Sequence, residues 1–161
     1  MTADDRTSSA SNLSPATGPV PSGAAGSHPG TQSATFELGD VRIELTASPG
    51  AARVVVSDAR ARDVYVVDPS ALADWSRAIN QLLALAPAAT DRDGAEYRSP
   101  FLIDREGRAS IAVEARVGAV VSYRVIVHGA ESRVAGIMAT HDTVRGLAAA
   151  AAGAVGVAAS S

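Results

Sequence analysis

The chain has 161 residues, fourteen basic and seventeen acidic side chains, a net charge of −3 and no cysteine. It therefore has no disulfide, thiol nucleophile, iron–sulfur cluster or cysteine-ligated zinc, and its acidic balance argues against bulk electrostatic attachment to nucleic acid or to an anionic membrane. Every basic residue is arginine, which removes P-loop, Schiff-base and kinase-type lysine chemistry as well.

Residues 1–33 are rich in Ser, Thr, Gly, Pro and Ala, with Leu13 and Val20 the only large aliphatics. Such a segment cannot bury enough apolar surface to offset the entropy of ordering, and is predicted to be a disordered tail. Within it, Asn12-Leu13-Ser14 has the form of a glycosylation acceptor and His28 sits in a turn-like Ser-His-Pro-Gly. Neither carries weight in a tail for which a bacterial cytosolic setting is expected. The opening Met-Thr-Ala-Asp-Asp lacks the basic and apolar segments of a secretory signal. A cytoplasmic location is expected, in keeping with an Ala-, Arg-, Gly- and Val-rich composition of GC-rich bacterial, for preference actinobacterial, type.

A single α+β domain is predicted over 34–161. Phe36-Glu37-Leu38 leads through Gly39-Asp40, a tight-hairpin signal because such turns need positive φ. In the run Val41 to Thr46, Val41, Ile43 and Leu45 share one face, and Arg42, Glu44 and Thr46 the other. Pro49-Gly50 marks a turn, Arg53 to Val56 a third strand and Val64 to Val67 a fourth. A helix follows: Asp68 is placed to cap it and Pro69 fits its first position. Leu72, Trp75, Ile79, Leu82, Leu83 and Ala86 form one stripe, and Pro87 stops it. On that stripe Trp75 reads as a core anchor.

Ala88 to Ser99 reads as a polar connector. Its carboxylates Asp91, Asp93 and Glu96 resemble half of a calcium loop, but the bidentate glutamate such a loop needs is replaced by Leu102. The second half repeats the order of the first: strands at Phe101 to Ile103, Ala109 to Val117, Val120 to His128 and Arg133 to Ala139. Gly118-Ala119 and Gly129 to Ser132 supply turns. Thr140 or Asp142 caps a closing helix with an inner stripe of Val144, Leu147, Ala151 and Val155. Its Ala, Gly and Val composition is too short and too weakly apolar to span a bilayer, and suits close packing between the sheet and the first helix, or against another subunit. The expected fold class is α+β, with two strand-strand-strand-strand-helix repeats (about 34–87 and 99–157) forming antiparallel sheet with two packed helices behind the disordered tail.

No residue cluster forms a reaction centre. Gly-x-Ser-x-Gly is missing and Ser110 lies mid-strand. His141-Asp142 belongs to a helix start, and His128, His141 and Asp142 lack metal-ligand spacing. No catalytic, cofactor or metal residue is assigned, and no enzyme activity is expected. The outward strand face carries Arg42, Glu44, Thr46, Arg53, Glu114, Arg116, Ser122, Arg124 and His128. An ordinary wet sheet face accounts for this set. Read functionally, Arg42, Arg53, Tyr65, Arg116 and Arg124 form a candidate binding face. The first expectation is a non-catalytic binding or assembly module that recognises another protein or a second copy of itself. The alternative is single-stranded nucleic-acid binding.

Two successive four-strand-plus-helix units, from Phe36 to Val155, resemble in element order the Whirly family of single-stranded DNA-binding proteins. That resemblance implies a nucleic-acid-binding role on such a frame. The Lys-Gly-Lys-Ala-type motif of plant Whirly proteins has no counterpart in a chain without lysine, so the resemblance assigns no site residue. A saddle with both helices on one face, as in TATA-binding proteins, would show the same element order.

Overall fold

The computed structural model describes residues 30–89, 94–107, 109–129 and 134–160, apart from the side chains of Val134 and Ala135. The predicted tail up to residue 29, with Asn12 and His28, lies outside them, as do Asp91 and Asp93. The described chain is α+β: two antiparallel sheets and two helices.

Sheet A is a meander of β1 (Gln32–Leu38), β2 (Val41–Ser48), β3 (Ala51–Ser57) and β4 (Arg62–Val67). β1 thus starts inside the predicted tail. Leu38 pairs with Val41, so Gly39-Asp40 is a two-residue turn, and Gly39 takes the φ of +59° that a side chain would resist. Gly50 at φ +78° closes the next turn behind Pro49.

Sheet B runs β5 (Ala95–Arg98), β7 (Ser110–Val117), β8 (Val121–His128) and β9 (Val134–Ala139). The two-residue β6 (Leu102–Ile103) also pairs with β7. The described residues hold nine strands where eight were expected. The addition, β5, lies in the segment read as a connector. Its alternation of Glu96, Tyr97 and Arg98 leaves all four residues exposed, so it carries no buried apolar signature. The β7–β8 loop also differs: Val117 pairs with Val121, which leaves Val120 in a three-residue loop rather than at the start of the strand.

α1 (Pro69–Leu83) buries Leu72, Trp75, Ser76, Ile79 and Leu82. Asp68 occupies the N-cap position but makes no side-chain cap bond; its carboxylate instead accepts from Arg105 Nε at 2.8 Å. α2 (His141–Ala159) is capped by Thr140, whose Oγ1 accepts from the Thr143 amide at 3.1 Å. Ala148, Ala150, Ala151, Ala154 and Ala158 are buried along it, and it lies between sheet A and α1. Ser76 Oγ donates to the Ala148 carbonyl at 2.8 Å, tying the helices at their contact.

Each helix packs on the sheet of the other half. α1, which follows sheet A, contacts β6 and β7; α2, which follows sheet B, lies mainly on β1, β2 and β3 and also touches β8 of its own sheet. One buried cluster draws on both sheets and both helices, with Ile43, Val54, Tyr65, Ile79, Ile111, Val125 and Leu147 among its members. At the margins β1 lies beside β9 and β4 beside β6. There the Arg105 amide donates to the Val66 carbonyl at 3.0 Å, and Asp104 Oδ1 accepts from the Val66 amide at 2.9 Å. Among the described residues no helix is long and apolar enough to cross a membrane.

Candidate binding face

Strand alternation sends Ile111, Val113 and Ala115 of β7 into the core and Ala112, Glu114 and Arg116 to the outer face. Antiparallel register then sets the neighbours. Arg98 of β5 stands opposite Glu114, Glu114 opposite Arg124 of β8, and Arg124 opposite Met138 of β9. The adjacent row is Glu96, Arg116 and Ser122.

In the first row a carboxylate is gripped from both sides. Glu114 Oε2 accepts from Arg98 Nη2 at 2.6 Å and from Arg98 Nε at 3.0 Å, while Oε1 accepts from Arg124 Nε at 2.6 Å and also from Arg124 Nη2. Glu114 keeps 3% of its side-chain exposure, and the side chains of Arg98 and Arg124 keep 47% and 46%. Burial is the largest single influence on the carboxyl and raises its pKa. The hydrogen bonds and positive charges of Arg98 and Arg124 together outweigh it and hold the group below the ordinary carboxylate range. Two cations around one anion leave a net positive charge on side chains that are about half exposed.

Beside this row lies a shallow cavity of about 180 Å³ lined by Glu96, Glu114, Arg116, Ser122, Tyr123, Arg124 and Met138. Arg116 is exposed on one wall, its Nε close enough to Gly94 that a Cβ there would sit 2.9 Å away. Met138 is 68% exposed on the other. Further along the face Phe101 packs on His128 with ring centroids 5.2 Å apart, and the Arg98 guanidinium lies 5.7 Å from the Phe101 centroid. The face is only partly wet: Ala112 and Ile126, which share it, are buried.

The five residues assigned to a binding face do not share one. Arg116 and Arg124 lie on the outer face of sheet B, whereas Arg42 and Arg53 lie on that of sheet A. Arg42 is paired with Glu37 at 2.7 Å, both being largely exposed. Tyr65 is a core residue with 1% exposure on the opposite side of sheet A, so it offers no stacking surface. Sequence reasoning passed over Arg98, Glu114 as a buried anchor, and Met138. The signal for them was a charged residue in a central strand with arginines on both flanks. Among the described residues no group of His, Asp and Glu is placed to hold a metal ion.

Comparison with known proteins adds no relative: no family model, no curated protein and no solved structure matches the chain.

Proposed function

We propose that the chain is a non-catalytic binding module that recognises another protein through the outer face of sheet B. The observation that carries this reading is the row Arg98–Glu114–Arg124–Met138. Two half-exposed arginine side chains are held by a buried carboxylate, beside an exposed thioether and the exposed Arg116. Arginine and methionine are enriched at protein interfaces, and side chains already immobilised lose less entropy on binding. The complementary partner surface combines acidic side chains, met by the net positive row, with apolar ones, met by Met138 and the Phe101 ring.

Single-stranded nucleic-acid binding on a Whirly-like frame has less support. Its four arginines are divided between two sheets, and among the described residues no aromatic side chain stands beside Arg42 and Arg53 on the outer face of sheet A. The internal duplication belongs with these proposals: we infer that the halves are equivalent units, supported by an antiparallel sheet followed by a helix in each.

The test is capture of partners by the full chain, compared with Arg116→Glu and Met138→Ala, alongside titration of a labelled poly-dT strand at two salt concentrations. A protein retained by the wild type and lost with both variants supports the reading. Retention unaffected by either variant overturns it, as does salt-weakened oligonucleotide binding that requires Arg42 and Arg53.

A further inference from the structure

The margins of the two sheets close on one another at β1–β9 and β4–β6, but β5 lies at the edge of sheet B with all four residues exposed. An edge strand offers a row of main-chain donors and acceptors to any strand that fits. We propose that β5 pairs antiparallel with β5 of a second copy of this chain, so that two copies of sheet B become one continuous sheet.

The choice of occupant follows from the strand's own charges. In a two-fold antiparallel pair centred on Tyr97, Tyr97 faces Tyr97 of the second copy, and Glu96 faces Arg98 at both ends. Centring on Glu96 or on Arg98 would instead oppose like charges, and centring between Glu96 and Tyr97 leaves both charges unmatched. Only the Tyr97 register is self-complementary. Tyr97 is 47% exposed, with an apolar ring to cover. Arg98 keeps nearly half its exposure while holding Glu114, so its free N–H groups can meet Glu96 of the second copy. Pro100 ends the pairing, because the next outward-facing position has no amide hydrogen to donate. An interface this short falls below the usual area of stable complexes, so the dimer is weak and concentration-dependent. This inference does not rest on the recognition of another protein.

A chain without cysteine gives a direct test. Residues directly opposite in an antiparallel pair have Cα atoms about 4.5–5.5 Å apart, within disulfide reach. Under mild oxidation Tyr97→Cys is expected to form covalent dimers at least about tenfold faster than Glu96→Cys or Val120→Cys, since neither of those faces itself in this register. By sedimentation from micromolar to millimolar concentration, the wild type is expected to self-associate, and Glu96→Arg to weaken that association by about tenfold or more. Equal crosslinking rates at the three positions would overturn the proposal. So would a wild-type chain that stays monomeric throughout, in which case the edge charges act only to keep strands apart, or a dimer indifferent to Glu96→Arg.

Discussion

Arg98 and Glu114 face each other across the β5–β7 pair, and the guanidinium closes on one carboxylate oxygen through both Nη2 and Nε, at 2.6 and 3.0 Å. The same pairing that makes β5 a strand therefore neutralises a charge buried in the middle of sheet B. It also gives an otherwise polar four-residue segment a reason to stay on the sheet.

Glu114→Gln is expected to destabilise the chain by about 2 kcal/mol at neutral pH, less than for a fully buried pair because both arginines are half exposed to screening solvent. The pH dependence has a definite sign. A carboxyl whose folded pKa is depressed contributes stability that is present above its unfolded value, and that contribution is lost as pH falls through the folded value. Urea titrations of both proteins should therefore diverge most near neutral pH and converge in acid. A gap that stays constant into strong acid would contradict the lowered pKa.

Asp104 does for the joint between the sheets what Glu114 does within one. Its Oδ1 accepts from the Val66 amide of β4, and its Oδ2 from the Glu106 amide at 3.2 Å. Asp104→Ala leaves the Val66 N–H without that acceptor and should cost about 1–2 kcal/mol, whereas Asp104→Asn keeps a carbonyl oxygen there and should cost less. Hydrogen exchange at the Val66 amide reports the effect directly. It should accelerate in Asp104→Ala and stay close to wild type in Asp104→Asn.

What the sequence made legible divides along physical lines. Gly39-Asp40 was readable because a two-residue hairpin demands positive φ, and the α1 stripe because 3.6-residue periodicity survives in Leu72, Trp75, Ile79 and Leu82. Registers were less accessible. A two-residue turn at Gly118-Ala119 would set Val117 against Val120 and Glu114 against Tyr123, whereas the three-residue loop sets Glu114 against Arg124. One residue of slip thus decides whether a buried carboxylate meets a phenol or a guanidinium. β5 escaped notice because an edge strand exposed on both faces has no hydrophobic alternation. Tyr65 was misplaced for the opposite reason: alternation in Val64-Tyr65-Val66-Val67 is equally compatible with either face. Asp68 was placed correctly at a helix start, but its carboxylate answers a cation 37 residues away, which local composition does not encode.

The helix–helix contact rests on a polar detail. Ser76 is buried and its hydroxyl donates to the Ala148 carbonyl. Ser76→Ala removes the donor while the carbonyl keeps its place in the helix ladder, so the expected loss is about 1 kcal/mol. Ser76→Val places extra volume where α2 offers only small residues and should cost more, about 1–3 kcal/mol. Thermal denaturation that ranks Ser76→Val as the milder change would mean that the helices have room to spare.

The glycines of α2 separate helix propensity from packing. A Cβ at Gly156 would meet nothing within 4 Å, so Gly156→Ala should stabilise by about 0.5–1 kcal/mol. At Gly153 the added atom would lie 2.6 Å from the Gln32 amide nitrogen. That group is the end of a flexible chain making only a 3.4 Å bond to Ala150, and it can swing aside, so Gly153→Ala should be close to neutral. At Gly146 the Cβ would come 2.8 Å from Cε1 of Phe36, a ring packed against the core that must move as a unit. There the overlap outweighs the propensity gain, and Gly146→Ala should destabilise by about 1 kcal/mol. The three melting temperatures should therefore fall in the order Gly156→Ala, Gly153→Ala, Gly146→Ala, with wild type above the last. If all three variants gained equally, α2 would not approach β1 as closely as the Phe36 contact requires.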